Sequence, residues 1–200
     1  MKGFAVLASG RGSNFQALID AMKAGEVPAR CLRLITDNPT AYALERAGKA
    51  GIPATVLDFG SFPDRAAYEE ALLRKMHATG ADLFVLAGYM RILGREIVDA
   101  FPHRILNIHP ALLPCFPGLH AQRQALEHGV RVSGCSVHLV DPGTDTGPIV
   151  LQRCVRVEQD DTEETLAARI LAEEHRILPE AVRLFLEGRL EVRGRRVIIR

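Results

Sequence analysis

The stretches Phe4 to Ala8 and Leu83 to Ala87 are short and apolar at every position, and they constrain the fold more than anything else in the chain. Successive side chains of a strand point to opposite faces, so a strand with no polar alternation must be covered on both sides. Cys31 to Ile35, Ala54 to Leu57 and Arg104 to Ile108 repeat the pattern less strictly. Helical spacing separates these runs. Phe15, Leu18, Ile19 and Met22 fall on one helix face, Tyr42 to Lys49 reads as a helix closed by Gly51, and Asp64 to Ala78 reads as a helix with Tyr68, Ala71, Leu72 and Met76 inward. Such alternation predicts an α/β protein with a Rossmann-like, open, mainly parallel sheet and helices on both faces.

After Pro110 the texture changes. Val132 to Val140 and Ile149 to Val157 alternate more and flank a turn cluster from Asp141 to Pro148, the signature of an antiparallel extension. A long helix is expected from about Thr162 to Phe185, bent by Pro179, and an edge hairpin from Leu190 to Ile199. A chain of 200 residues suits one domain, 1–200, with a nucleotide-binding half at 1–110 and a second half at 111–200.

Lys+Arg total 25 and Asp+Glu 24, so the formal charge is +1 and gives no footprint for nucleic acid, although a local phosphate site fits it. Cys31, Cys115, Cys135 and Cys154 show no CxxC spacing and are expected to be free thiols. The N-terminal apolar run is too short for a signal peptide, and no segment reaches the roughly 18 apolar residues of a membrane span. A cytoplasmic protein with no membrane partner is the expectation.

Gly10-Arg11-Gly12-Ser13-Asn14 turns the chain from strand into helix. Free backbone N–H groups and the positive helix end make such a turn a small phosphate cradle, with Ser13 and Asn14 adding side-chain donors. It is not a Walker A loop, for no Gly-Lys-Ser/Thr follows, and Phe15 stands where a dinucleotide fingerprint needs its third glycine. A tight turn with a helix cap is the plainer alternative. Asn107 and His109 point to the same face of an apolar strand that Pro110 stops. The C-terminal end of a parallel strand is where open α/β sheets bind ligands. An amide there can donate to a carbonyl oxygen while an imidazole moves a proton; two satisfied core side chains would read the same way.

Three further segments keep two readings each. Asp145 is an ordinary turn residue or, beside His109, a carboxylate that stabilises the imidazolium and raises its pKa. Glu173 and Glu174 border the helix stripe Leu166, Ile170, Ile177, Ala181 and Leu184, either as a solvated flank or as acceptors for ligand hydroxyls or amines. Gly88-Tyr89-Met90-Arg91-Ile92-Leu93 is a strand-to-helix loop or an apolar ligand wall with Arg91 at its rim.

Taken in order, SGRGSN, AGYMRIL, NIHPALLPCFPG, SVHLVDPGTDTGP and the late EEH resemble the phosphoribosylglycinamide formyltransferase family along nearly the whole chain. The resemblance implies the formyltransferase fold and transfer of the formyl group of 10-formyltetrahydrofolate to the amine of glycinamide ribonucleotide, in purine synthesis, without a metal. It implies that Gly12, Ser13 and Asn14 hold the ribonucleotide phosphate and Glu174 its ribose. The same resemblance gives the folate to Arg65, Met90, Arg91, Ile92, Leu93, Asn107, Asp141 and Asp145, and makes the second half of the chain folate-binding. Asn107, His109 and Asp145 would be catalytic, with Asn107 and a protonated His109 stabilising the oxyanion and Asp145 keeping His109 protonated and serving proton transfer. The chain departs from the family pattern at Cys115, where relatives carry a basic or small residue, and at Leu171 and Glu173, where glutamine is usual.

Two other users of formyl folate share this core. Methionyl-tRNA formyltransferase normally adds a C-terminal domain, and formyltetrahydrofolate hydrolase an N-terminal one. A non-catalytic folate or nucleotide binding module would bind without turnover. The expected partners are small-molecule substrates and, at most, a second copy of the chain in a homodimer.

Overall fold

A computed structural model describes residues 2–200. The first half alternates β1 (Gly3–Leu7), α1 (Ser13–Lys23), β2 (Arg30–Thr36), α2 (Ala43–Lys49), β3 (Ala54–Val56), α3 (Arg65–Thr79), β4 (Leu83–Leu86), α4 (Arg95–Ala100) and β5 (Ile105–His109). There follow α5 (Ala121–Glu127), β6 (Val132–Leu139), β7 (Ile149–Arg156), α6 (Glu163–Leu186), β8 (Leu190–Arg193) and β9 (Arg196–Ile199). All nine strands join one sheet in the order β3-β2-β1-β4-β5-β6-β7-β9-β8.

Strands β1 to β5 pair in parallel, while β6 runs antiparallel to both β5 and β7, which is the expected extension. The terminal hairpin closes the far edge, with β9 parallel to β7. Strand order reverses between β1 and β4: the chain first builds outward to β3, then returns to build β4 and β5 on the other side. That reversal opens a crevice at the strands' C-terminal ends.

The apolar strands are buried on both faces. Phe4 and Val6 of β1 pack with Phe15 and Leu18 of α1 and Ile170 and Ile177 of α6, whereas Ala5 and Leu7 pack on the opposite side with Tyr68, Leu72 and Met76 of α3 and Ile97 of α4. The expected stripe of the last helix, Leu166, Ile170, Ile177, Ala181 and Leu184, is buried throughout. Thr162 caps that helix through a reciprocal bond with Thr165, and the helix runs on past Pro179 to Leu186. Helices α4 and α5 were not legible beforehand, because six and seven residues carry too little periodicity. No helix among the described residues is long and apolar enough to cross a membrane.

Candidate active site

β5 and β6 place a ladder of polar side chains on one face of the sheet. Asn107 stands directly across from His138, and His109 across from Ser136. Their neighbours Ile108 and Val137 point to the other face, into the apolar core with α1 and α6. The loop after β6 returns Asp145 to this ladder. Its Oδ2 lies 3.4 Å from His109 Nδ1, and its Oδ1 lies 3.3 Å from Asn107 Nδ2 and 3.4 Å from His138 Nε2. Asn107 Nδ2 is also 3.1 Å from His138 Nε2. The three residues expected to act together therefore meet, joined by a fourth, His138. Asp141 stays apart: its Oδ1 accepts from the Gly143 amide and the Thr146 hydroxyl and closes its own loop.

The backbone is bent to serve this cluster. Asp145 sits at φ 53°, a left-handed conformation that aspartate tolerates better than most residues. Phe116 sits at φ 53° as well, unusual for so bulky a side chain, and its carbonyl lies 2.8 Å from His109 Nε2. A carbonyl can only accept, so Nε2 carries the proton and Nδ1 faces the carboxylate. The Gly118 amide donates to Asp145 Oδ2 at 2.8 Å, so the 116–118 turn grips both partners.

Burial holds the His109 imidazole below its ordinary pKa; the Asp145 charge and the Phe116 carbonyl pull it up without prevailing. Asp145 thus raises the imidazole as expected, but desolvation outweighs it and the net push is toward the neutral form. The 3.4 Å separation agrees, being longer than the roughly 2.7–2.9 Å of a charged N–H to carboxylate bond. For Asp145, burial works to raise the carboxyl, but hydrogen bonds from His138 and the Gly118 amide, with the charge of His109, leave it below the ordinary value.

The glycine turn is built as expected. Gly12 is left-handed at φ 67° directly before α1, and a Cβ there would press on Ala43. No side chain caps the helix and no acid lies in its first turn, so its N-terminal amides stay open. Ser13 borders a cavity of about 640 Å³ between α1 and α6, which Arg46 and His175 also line. Asn14 is not the free donor that was expected. Its Nδ2 donates to Glu174 Oε2 at 2.7 Å, joining two residues 160 apart in the chain, while Glu173 turns outward to pair with Arg176. Burial raises the Glu174 carboxyl, and the Asn14 bond opposes that.

Arg65, Met90, Arg91, Ile92 and Leu93 all line a second cavity, of about 320 Å³, with Phe59, Tyr68 and Tyr89 among the other walls. Met90 and Ile92 are 66% and 61% exposed, apolar surface without a protein partner.

Residues 2–182 match the family described as formyl transferase. The chain belongs to the formyl transferase family. Within it, the phosphoribosylglycinamide formyltransferase of Bacillus subtilis is 41% identical, over 93% of this chain and 95% of its own. A glycinamide ribonucleotide transformylase structure from Symbiobacterium toebii superposes with a TM-score of 0.97 at 55% identity, covering 100% of this chain and 94% of that one. The trifunctional purine biosynthetic protein adenosine-3 of Drosophila pseudoobscura is 47% identical over 94% of the chain, which spans only 14% of its length. These likenesses place the chain among the phosphoribosylglycinamide formyltransferases of the family.

Several residues that the structure adds to this cluster escaped sequence reasoning. His138 carried the same signal as Asn107 and His109, a polar residue two positions from another (Ser136) on an apolar strand. Ser136 links the turn after β5 to the sheet: its Oγ accepts from the Leu113 amide and donates to the Ala111 carbonyl, and Gln152 Nε2 donates to it. The role of the Phe116 carbonyl had no signal at all, since main-chain direction is not written in a side chain. All four cysteines are free, as expected.

Proposed function

We propose that this chain transfers the formyl group of 10-formyltetrahydrofolate to the amine of glycinamide ribonucleotide, a step of de novo purine synthesis, with Asn107, His109 and Asp145 as its catalytic group. The observation that carries this reading is the convergence of those three side chains within 3.4 Å at the end of β5, in a member of the formyl transferase family.

The residues around the second cavity fit a folate. Exposed Met90 and Ile92 suit a flat ring system, and Arg91 suits an acidic or carbonyl acceptor. Arg65, Met90 to Leu93, Asn107, Asp141 and Asp145 would hold it, so the pocket draws on both sides of residue 110. Bound there, the folate supplies the formyl carbon and the nitrogen that leaves. The open amides of Gly12, Ser13 and Asn14 would take the ribonucleotide phosphate. Glu174 would accept from the ribose hydroxyls.

What the chain's own groups do follows from their resting states. A neutral imidazole with a carboxylate waiting beside Nδ1 accepts a proton as the substrate amine attacks. The imidazolium so formed is stabilised by Asp145. Asn107 is then the fixed N–H donor toward the oxygen of the carbonyl under attack, while the imidazolium, its Nε2–H held by the Phe116 carbonyl, gives the proton on Nδ1 to the folate nitrogen as the C–N bond breaks. Asn107 can make the exchange of partner cheaply, because its 3.3 Å contact with Asp145 lies beyond the usual range of roughly 2.7–3.2 Å.

The test is an assay of purified protein with 10-formyltetrahydrofolate, offering glycinamide ribonucleotide, water or charged initiator tRNA as acceptor. Formyl-glycinamide ribonucleotide should form fastest. Faster formate release without ribonucleotide, or preferred formylation of the tRNA, would overturn the assignment.

A further inference from the structure

The 88–91 segment that walls the second cavity is fastened at three points. The Ser9 amide donates to the Gly88 carbonyl at 3.0 Å, and the Met90 amide donates to Ser9 Oγ at 2.9 Å. These two bonds fix main chain. The third fixes a side chain: Arg91 Nε donates to Asp37 Oδ2 at 2.6 Å. Ser9 and Asp37 lie just past the C-terminal ends of β1 and β2, so all three fastenings sit beside the reversal of strand order.

The ion pair is lopsided. The Asp37 side chain is 5% exposed and that of Arg91 36%. Arg91 Cζ lies 3.6 Å from the Phe59 ring centroid, so the guanidinium rests on the ring face. Among the described residues, only the Nε–H of Arg91 has a hydrogen-bond acceptor, which leaves the fork of Nη1 and Nη2 free. The other guanidinium of the cavity is more engaged, with Arg65 Nε on Glu69 and Nη2 on the Ile92 carbonyl. Arg91 is therefore the one that offers a whole Nη1–Nη2 fork.

Stability gives a poor account of Asp37. A buried carboxylate is costly, and among the described residues its Oδ1 has no partner. A small neutral residue would occupy the position with less penalty. We propose that Asp37 is the positioning residue of the folate pocket: it pins Arg91 through Nε against Phe59 and so presents the Nη1–Nη2 edge to the ligand. The pocket's cations are both paired, Arg91 with Asp37 and Arg65 with Glu69, so recognition rests on the direction of a fork more than on net positive field.

This inference rests on the reading that Arg65 and Met90 to Leu93 hold the folate, and the experiment separates the two. Tetrahydrofolate binding is measured by calorimetry for wild type, Asp37→Asn, Arg91→Ala and the double variant, alongside kcat and both KM values. Asp37→Asn should weaken tetrahydrofolate binding about tenfold, the scale of one hydrogen bond to a charged group. It should raise the folate KM to match, and leave kcat and the ribonucleotide KM within about twofold. Asp37→Glu should recover part of the loss, and Asp37→Asn should add nothing once Arg91 is alanine. Phe59→Leu, which loosens the clamp from its other side with Asp37 intact, should weaken binding in the same way and keeps the question open to test if Asp37→Asn folds poorly. If Arg91→Ala weakens binding but Asp37→Asn and Phe59→Leu do not, the positioning role is refuted and the pocket stands. An equal loss from Asp37→Asn with and without Arg91 refutes it as well. If Arg91→Ala itself binds tetrahydrofolate normally, the folate reading of this cavity falls, and the proposal with it.

Discussion

Replacing Asn14 by leucine isolates the pair that links the glycine turn to the last helix. Glu174 is 6% exposed, and among the described residues its only hydrogen-bond donor is Asn14 Nδ2, at 2.7 Å. Leucine keeps most of the volume and removes that donor. Losing a hydrogen bond to a charged group costs roughly 1.5–3 kcal/mol. Part is returned, because among the described residues Asn14 Oδ1 is itself buried without a partner, and deleting such an acceptor recovers about 1 kcal/mol. The expected net loss is therefore about 0.5–2 kcal/mol when Glu174 is ionised. Its sign with pH follows from the raised carboxyl. Above the ordinary value of about 4.3 the folded protein keeps a proton that the unfolded chain has released, so stability falls as pH rises through the folded pKa. The Asn14 bond is what opposes that rise, so the variant's carboxyl moves further up and its penalty grows with pH. Urea unfolding without ligand, at pH 5 and pH 8, measures both. The gap between wild type and Asn14→Leu should be wider at pH 8 than at pH 5. Equal gaps at the two pH values would refute the idea that Asn14 serves the charge of Glu174.

Three other outcomes are expected. His109→Ala and Asp145→Asn should each lower kcat by roughly 10² or more, the scale of general acid–base groups; because the Asp145 charge raises the His109 pKa against burial, the residual activity of Asp145→Asn should hold to lower pH than wild type, read from the acid limb of kcat/KM. Gly12→Ala forces a side chain into a left-handed position against Ala43, which should cost about 1–2 kcal/mol in thermal unfolding and raise the ribonucleotide KM before the folate KM. A chromogenic disulfide reagent should titrate Cys115 and Cys154 quickly in the native protein, since both are exposed, half-buried Cys31 more slowly, since its thiol is pushed up to about 12, and buried Cys135, pushed up to about 12 as well, only in denaturant.

The centre of the sheet was legible because β1 and β4 are apolar at every position, and that pattern is local. The inward faces of α1, α3 and α6 were legible for the same reason, and β5 announced Asn107 and His109 through a spacing of two. Register is not local. That Asn107 faces His138 depends on how β6 pairs with β5, and nothing within either strand states it. The charge balance at His109 is not local either: the nearness of Asp145 pulls the imidazole up, but the amount of surrounding protein, which no short stretch of sequence states, pulls it down further. Yet the ladder left a trace that sequence reasoning could have used. Two neighbouring antiparallel strands, each with a pair of polar residues two apart on an otherwise apolar run, either face those pairs toward each other or bury four polar groups without partners. The second arrangement is so costly that Ser136 and His138 predict their own pairing with His109 and Asn107. His138 belonged to the candidate site as soon as its strand was recognised as the neighbour of β5.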